Sequence, residues 1–228
     1  MIKKHIPNTL TLSNLTCGCV GIVACTKGDL VTASYMIWIA AIFDFFDGFV
    51  ARLLNVSSPI GKELDSLADM VTFGVLPSFI LFSMLEKSAS SFWPYLAFLL
   101  ALFSALRLAK FNIDTRQTNG FIGMPTPAAA FFVSGIVFWP NNTFFVGNTI
   151  WLLAISIGLS LLLVAPLPMI ALKFNNYSFK NNIYRYLTVI ISFVFLITLG
   201  LRSFPIIISF YLILSLFAAI KNKALRFK

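Results

Sequence analysis

Eight apolar runs, near residues 8–27, 30–54, 64–85, 91–111, 122–140, 148–172, 184–201 and 204–220, restrict this chain to very few folds. A helix needs about 20 predominantly apolar residues to cross a bilayer, and only helices and closed barrels satisfy the backbone in hydrocarbon. Runs of this length without strict alternation are helical. The expected fold is therefore all-α, a polytopic transmembrane helix bundle of about eight spans. Charged residues make up 11% of the chain, against roughly 25% in an ordinary soluble domain. The segments between runs are short and hold no repeat or low-complexity tract, so residues 1–228 are expected to form a single transmembrane domain.

The net charge of +9 would suit a nucleic-acid partner, but the placement of the basic residues points to membrane orientation instead. With a cytoplasmic N-terminus and all eight runs crossed, fourteen of the 17 Lys and Arg residues fall on the cytoplasmic side, leaving Lys27, Lys87 and Arg202 opposite. That split follows the positive-inside rule, and losing or gaining one span would scramble it. The expectation is a multi-pass protein of the cell membrane with both termini, and any chemistry on water-soluble substrates, facing the cytoplasm. The apolar run after Lys3-Lys4 looks like a secretory leader but lacks a small-residue cleavage site, so it is expected to be retained. Cys17, Cys19 and Cys25 all fall in the first run and read as small apolar residues rather than a redox or metal site. His5 is isolated, and Glu63 reads as solvated.

Four of the eight acidic residues, Asp44, Asp47, Asp65 and Asp69, crowd into 26 positions in or at the ends of apolar runs. A carboxylate in a membrane segment costs about 2.5–3.5 kcal/mol on insertion scales, so something must compensate it. At about 100° per residue, Asp44, Asp47, Gly48, Ala51 and Arg52 share one face of the second run. Gly61, Asp65 and Asp69 share one face of the third. A turn over 53–60, with Asn55, Ser57, Ser58 and Pro59 as breakers, folds the two antiparallel and brings the carboxylates together. Four anions so close require cations, and a set of hard oxygens without His or Cys favours two Mg2+ or Mn2+ ions over zinc. Such ions suit a diphosphate. Gly48 and Ala51 leave room for a bulky ligand, and Arg52 suits a phosphate oxygen.

The string Asp44-Phe-Phe-Asp47-Gly48-Phe-Val-Ala51-Arg52, followed after eight residues by Gly61-Lys-Glu-Leu-Asp65-Ser-Leu-Ala-Asp69, resembles the signature of the CDP-alcohol phosphatidyltransferases at every defining position. The resemblance implies that Asp44, Asp47 and Asp65 hold two divalent metals. It also implies that Asp69 deprotonates the acceptor alcohol while touching a metal. Gly48, Arg52 and Ser58 would contact the CDP moiety of CDP-diacylglycerol. Ala51 and Gly61 would flank it, and Asn8 and Thr11, at the start of the first run, would supply polar edges. The family often forms dimers, so a homodimer is expected alongside membrane lipids as partners.

The acceptor rests on segments outside that signature. The opening Pro7-Asn8-Thr9-Leu10-Thr11-Leu12-Ser13-Asn14, the run Asp65 to Pro77, the run Leu106-Arg107-Leu-Ala-Lys110-Phe-Asn112 and Gly123-Met-Pro125-Thr126-Pro127 look like the phosphatidylserine synthase branch. This resemblance covers about the first 135 residues. It implies L-serine as acceptor, with phosphatidylserine and CMP as products. A cation near the metals would recognise the serine carboxylate, and Arg107 and Lys110 are the candidates, each weighed evenly against a plain interfacial anchor. The rivals are a sibling enzyme using glycerol 3-phosphate or an inositol compound, which Arg116, Lys173 and Lys180 would serve, and an ion-coupled transporter.

Overall fold

The computed structural model describes residues 5–56, 58–88, 92–113, 121–140, 147–170 and 179–226. Arg116 and Lys173 lie outside them. Two helices, α1 (His5–Thr26) and α2 (Leu30–Leu53), form a hairpin closed by Gly28 at φ +77°. The Asp29 carboxylate accepts the Thr32 N–H at 2.9 Å, which caps α2 and holds the Asp29 carboxyl below its ordinary value. A short turn, with Asn55 at φ +50°, leads to α3 (Pro59–Asp69), whose first turn is capped by Ser58 and carries Pro at its start.

One π-helical turn, Met70–Val75, joins α3 to α4 (Leu76–Glu86), so Pro59–Glu86 is a single rod of 28 residues. A 3-10 turn, Trp93–Phe98, leads into α5 (Leu99–Ile113). Then follow α6 (Thr126–Ile136), α7 (Thr149–Val164), α8 (Phe179–Leu199) and α9 (Phe204–Arg226). The described residues thus form eight rods, one on each apolar run.

Four stretches are long and apolar enough to cross a membrane: His5–Thr26, Pro59–Glu86, Trp93–Ile113 and Asn182–Ile220. The last spans 39 residues and holds two rods, because Gly200 at φ +58° breaks it between α8 and α9. The α6 and α7 helices are shorter, at 11 and 16 residues.

The run 148–172, expected as one span, is helical only to Val164. Pro166 and Pro168 lack the N–H a helix needs, and the chain turns extended at Ala165 (φ −60°, ψ 138°). It then forms a two-residue strand β2 (Pro168–Met169) antiparallel to β1 (Phe121–Ile122). Gly123 anchors this ladder: its N–H donates to Leu167 O at 2.8 Å, and a Cβ there would sit 2.4 Å from Leu163 O. The positive φ of +81° is a second reason only glycine fits.

The core centres on the rod of α3 and α4. Phe73, Leu76, Ile80, Leu81 and Leu85 are fully buried among α1, α2, α5, α6 and α7. Close approach of α1 depends on Gly18 and Gly21, where a Cβ would lie 2.6 Å from Thr72 Oγ1 and 2.5 Å from Leu76 Cδ2. Small residues at helix crossings are how membrane bundles gain packing when the solvent is itself apolar.

Candidate active site

The α2–α3 hairpin presents its carboxylates as the spacing predicts. Oxygens of Asp44, Asp47 and Asp65 all lie within 4.8 Å of one another. Asp69 is one helical turn further along α3, and Asp44 lies within hydrogen-bonding reach of both Asp65 and Asp69. Asp47 is buried, and its Oδ2 accepts the Thr11 hydroxyl at 2.6 Å; that hydroxyl also lies 3.1 Å from Pro7 O. Asp69 Oδ1 accepts from Asn14 Nδ2 at 3.3 Å. Helix α1 therefore braces both carboxylate helices through residues one turn apart.

Neighbouring carboxylates of this kind repel unless protons or cations intervene. The donor set is all oxygen, with no nitrogen or sulfur among the three clustered residues, and so fits hard divalent cations.

Beside this cluster lies a cavity of about 220 Å³, lined from three elements: Pro7, Asn8 and Thr11 on α1, Asp47, Gly48 and Ala51 on α2, and Gly61, Lys62 and Asp65 on α3, with Val56 and Ser58 from the turn. Of the residues expected to contact the nucleotide and lipid, Asn8, Thr11, Gly48, Ala51, Ser58 and Gly61 are all gathered here. A Cβ on Gly48 would meet no atom within 4 Å, so its hydrogen opens a free space. Gly61 does the reverse: a Cβ would sit 3.0 Å from Ser58 Oγ and 3.2 Å from Asn8 Oδ1. Ser58 Oγ accepts the Gly61 N–H at 3.0 Å, so the cap that starts α3 is also part of the cavity wall. Arg52 is exposed and does not line this cavity.

The two candidate cations separate. Lys110 is exposed in the last turn of α5. Arg107 is only 8% exposed and donates from Nη1 to Thr126 Oγ1 at 2.8 Å, with its guanidinium 5.8 Å from the Phe111 ring centre. It lies close enough to Asp69 and Tyr211 to interact with both electrostatically. Its Nε, though buried, has no hydrogen-bond partner. The Gly123-Met-Pro125-Thr126-Pro127 segment acquires its role here, since the strand ladder and the start of α6 deliver Thr126 to Arg107.

Residues not singled out from sequence also belong to the site. Lys62 lines the cavity, and its Nζ donates to Asn112 O at 3.2 Å; Asn112 Nδ2 donates to Ser66 Oγ at 3.0 Å, so α5 is tied to α3. Asn14 is fully buried between Asp69 and Thr72, whose hydroxyl donates to Asn14 O at 3.2 Å. The available signal was a polar residue inside an apolar run, two helical turns from Pro7.

A family model described as CDP-alcohol phosphatidyltransferase matches residues 4–164, which reaches past the first 135 residues to the end of α7. Among curated relatives, the CDP-diacylglycerol–serine O-phosphatidyltransferase of Bacillus subtilis is 39% identical over 126 residues, covering 55% of this chain and 71% of that protein. The protein of the same name from Helicobacter pylori is 39% identical over 146 residues, covering 63% and 62%. That of Methanocaldococcus jannaschii is 36% identical over 154 residues, covering 68% and 69%.

Proposed function

Because this chain belongs to the CDP-alcohol phosphatidyltransferase family, we propose that it transfers the phosphatidyl group of CDP-diacylglycerol to L-serine, releasing CMP. The observation that carries the reading is the convergence of Asp44, Asp47 and Asp65 within 4.8 Å, flanked by Asp69 and open to a cavity. The serine assignment is supported by the names of the relatives and by a buried, half-satisfied arginine beside Asp69.

Asp44, Asp47 and Asp65 would hold two Mg2+ or Mn2+ ions, with Asp69 at their edge; when bound, these neutralise the diphosphate and stabilise charge on the oxygens entering and leaving phosphorus. The cavity between α1, α2 and α3 receives the cytidine diphosphate, whose approach Gly48 and Ala51 leave open and whose edges Asn8, Thr11, Ser58 and Lys62 meet. The acyl chains stay between helices, in the bilayer. Asp69 accepts the proton of the serine hydroxyl. The serine oxygen forms a bond to the phosphorus carrying diacylglycerol. The bond from that phosphorus to the bridging oxygen breaks, and CMP departs with the electron pair. Arg107 holds the serine carboxylate.

The same reading places the site on the cytoplasmic side of the cell membrane. Eight crossings and cytoplasmic termini follow from the distribution of Lys and Arg, and α6 and α7 cross with the help of their non-helical flanks. It also includes a homodimer, as the family resemblance implies.

Purified protein incubated with CDP-diacylglycerol, Mn2+ or Mg2+ and each candidate alcohol in turn tests this directly. CMP release with serine, and phosphatidylserine as the lipid product, is the expected result. Release only with glycerol 3-phosphate or an inositol compound would overturn the acceptor and keep the site. No release with any alcohol would return the aspartates to the transporter reading.

A further inference from the structure

Two residues near Asp69 each carry a buried polar atom that lacks a partner, and the two atoms are of opposite kinds. Arg107 Nε is a donor without an acceptor; Asn14 Oδ1 is an acceptor without a donor. Burying such a group unsatisfied is costly, and native proteins keep few of them. Asn14 is 0% exposed and Arg107 8%. The orientation of the Asn14 amide is set by its neighbour. Its Nδ2 donates to Asp69 Oδ1 at 3.3 Å, and turning the amide over would set oxygen against carboxylate oxygen. Oδ1 therefore sits one amide width from the contact with Asp69, and Arg107 approaches Asp69 from α5.

We propose that these two atoms form a zwitterion-reading pair, in which Asn14 Oδ1 accepts a hydrogen bond from the ammonium group of the acceptor substrate while Arg107 Nε donates to its carboxylate. The proposal rests on the serine reading above and deepens it by adding Asn14 as the residue that recognises the amine. An amino acid whose hydroxyl touches Asp69 carries its ammonium and its carboxylate on the next carbon. The two groups match in kind the two unpartnered atoms of the residues nearest Asp69 on α1 and α5. Three contacts to groups around one carbon also make the site stereoselective. An alcohol lacking the ammonium leaves Asn14 Oδ1 unpaired, and one lacking the carboxylate leaves Arg107 Nε unpaired. Rejection by an unmet buried polar group is far stronger than rejection by shape alone.

The test compares L-serine with D-serine, 3-hydroxypropanoate, which lacks the amine, and ethanolamine, which lacks the carboxylate. Each is measured for turnover and as a competitor of L-serine. In the wild-type enzyme all three analogues should bind at least about 10-fold more weakly than L-serine, the scale of one hydrogen bond to a charged group. Asn14→Ala should raise the KM for L-serine about 10- to 100-fold and leave the inhibition constant of 3-hydroxypropanoate unchanged. Arg107→Gln should do the converse, sparing ethanolamine. A loss of kcat in Asn14→Ala is expected for every acceptor, since Asp69 also loses a donor, so the KM split is the deciding readout. If Asn14→Ala weakens L-serine and 3-hydroxypropanoate equally, Asn14 only positions Asp69 and the proposal is wrong while the serine reading stands. If wild-type enzyme binds 3-hydroxypropanoate as tightly as L-serine, the proposal fails without any variant. CMP release only with an acceptor that has no amine would overturn both.

Discussion

The hairpin of α2 and α3 and the pair α8 and α9 are both built from apolar helices, yet they use polar side chains in opposite ways. In α8 and α9 several hydroxyls return to the backbone of their own helix: Thr188 to Tyr184 O at 2.7 Å, Thr198 to Val194 O at 2.9 Å and Ser209 to Pro205 O at 2.7 Å. This is the default for a hydroxyl surrounded by hydrocarbon. Two α9 side chains reach further, Tyr211 and Ser215, but both go to the backbone of Ile170, where they hold the residue after β2 against α9. Around α2 and α3 polar side chains also reach across helices to other side chains, Thr11 to Asp47, Asn14 to Asp69 and Asn112 to Ser66, even where Thr11 and Ser66 keep a bond to their own helix. Side-chain partners on another helix, rather than the loss of back-bonds, mark where the fold spends stability on chemistry. The outer face of α8 shows the contrary limit, with Ile190, Phe193, Val194 and Ile197 each more than half exposed, as suits lipid contact.

The comparison breaks most sharply at the carboxylates. Asp69→Asn should lower kcat by about 10²- to 10⁴-fold, the usual share of a general base, while binding of CDP-diacylglycerol is largely spared. Asp47→Ala should abolish turnover and also weaken Mn2+ binding, read by electron paramagnetic resonance of the free ion. Wild-type protein stripped with a chelator should likewise lose activity and regain it on adding Mn2+ or Mg2+. Full activity in Asp69→Asn would sink the base assignment and leave the metal cluster untouched.

Next in size is the helix approach that sets this geometry. Gly18→Val would drive a side chain into Thr72, which already lies 2.6 Å from an ideal Cβ, and Thr72 bonds the backbone of Asn14. Overpacking of this kind costs about 1–3 kcal/mol, so the melting temperature in detergent should fall along with activity. A matching loss is not expected at Gly158 on α7, where a Cβ meets nothing within 4 Å.

Much of the site was legible because its logic is local. The four aspartates stand at helical spacings, and a breaker-rich turn separates the two sets, so periodicity alone turns their faces together. The same argument says nothing of exposure, and Arg52, which shares the helical face on a wheel, is exposed in the last turn of α2. Nor could it find the partners of Asp47 and Asp69, since Thr11 and Asn14 are 36 and 55 residues away. Arg107 was recognisable as a cation at a helix end, but its separation from Lys110 depends on Thr126, brought in by the β1–β2 ladder, whose two-residue strands leave no periodic trace. The π-helical turn after Asp69 was equally silent, because one extra residue per turn is a matter of packing rather than of composition.

Gly48 sharpens the comparison by giving stability and binding opposite signs. Ala is better than Gly in a helix interior by about 1 kcal/mol, and nothing within 4 Å obstructs the added carbon. Gly48→Ala should therefore raise the melting temperature slightly while raising the KM for CDP-diacylglycerol by about 10-fold, the lower end for one methyl group in a fitted pocket. A stabilised variant with unchanged KM would show that the nucleotide does not approach α2 at this point.

The smallest effect is expected on α8. Phe193 is 64% exposed, so Phe193→Ala removes a side chain that meets lipid in either case. Stability should change by no more than about 0.5 kcal/mol, as for surface positions elsewhere, and kcat/KM for serine should stay within about twofold. The measurement discriminates because the alternatives predict more. If α8 formed the dimer surface, Phe193→Ala would shift the oligomer distribution measured by light scattering in detergent. If α8 completed the groove for the acyl chains, the KM for CDP-diacylglycerol would rise while that for serine held. Either result would move α8 to the functional side of the comparison, and a null result in both would confine the chemistry to the helices that bond across to one another.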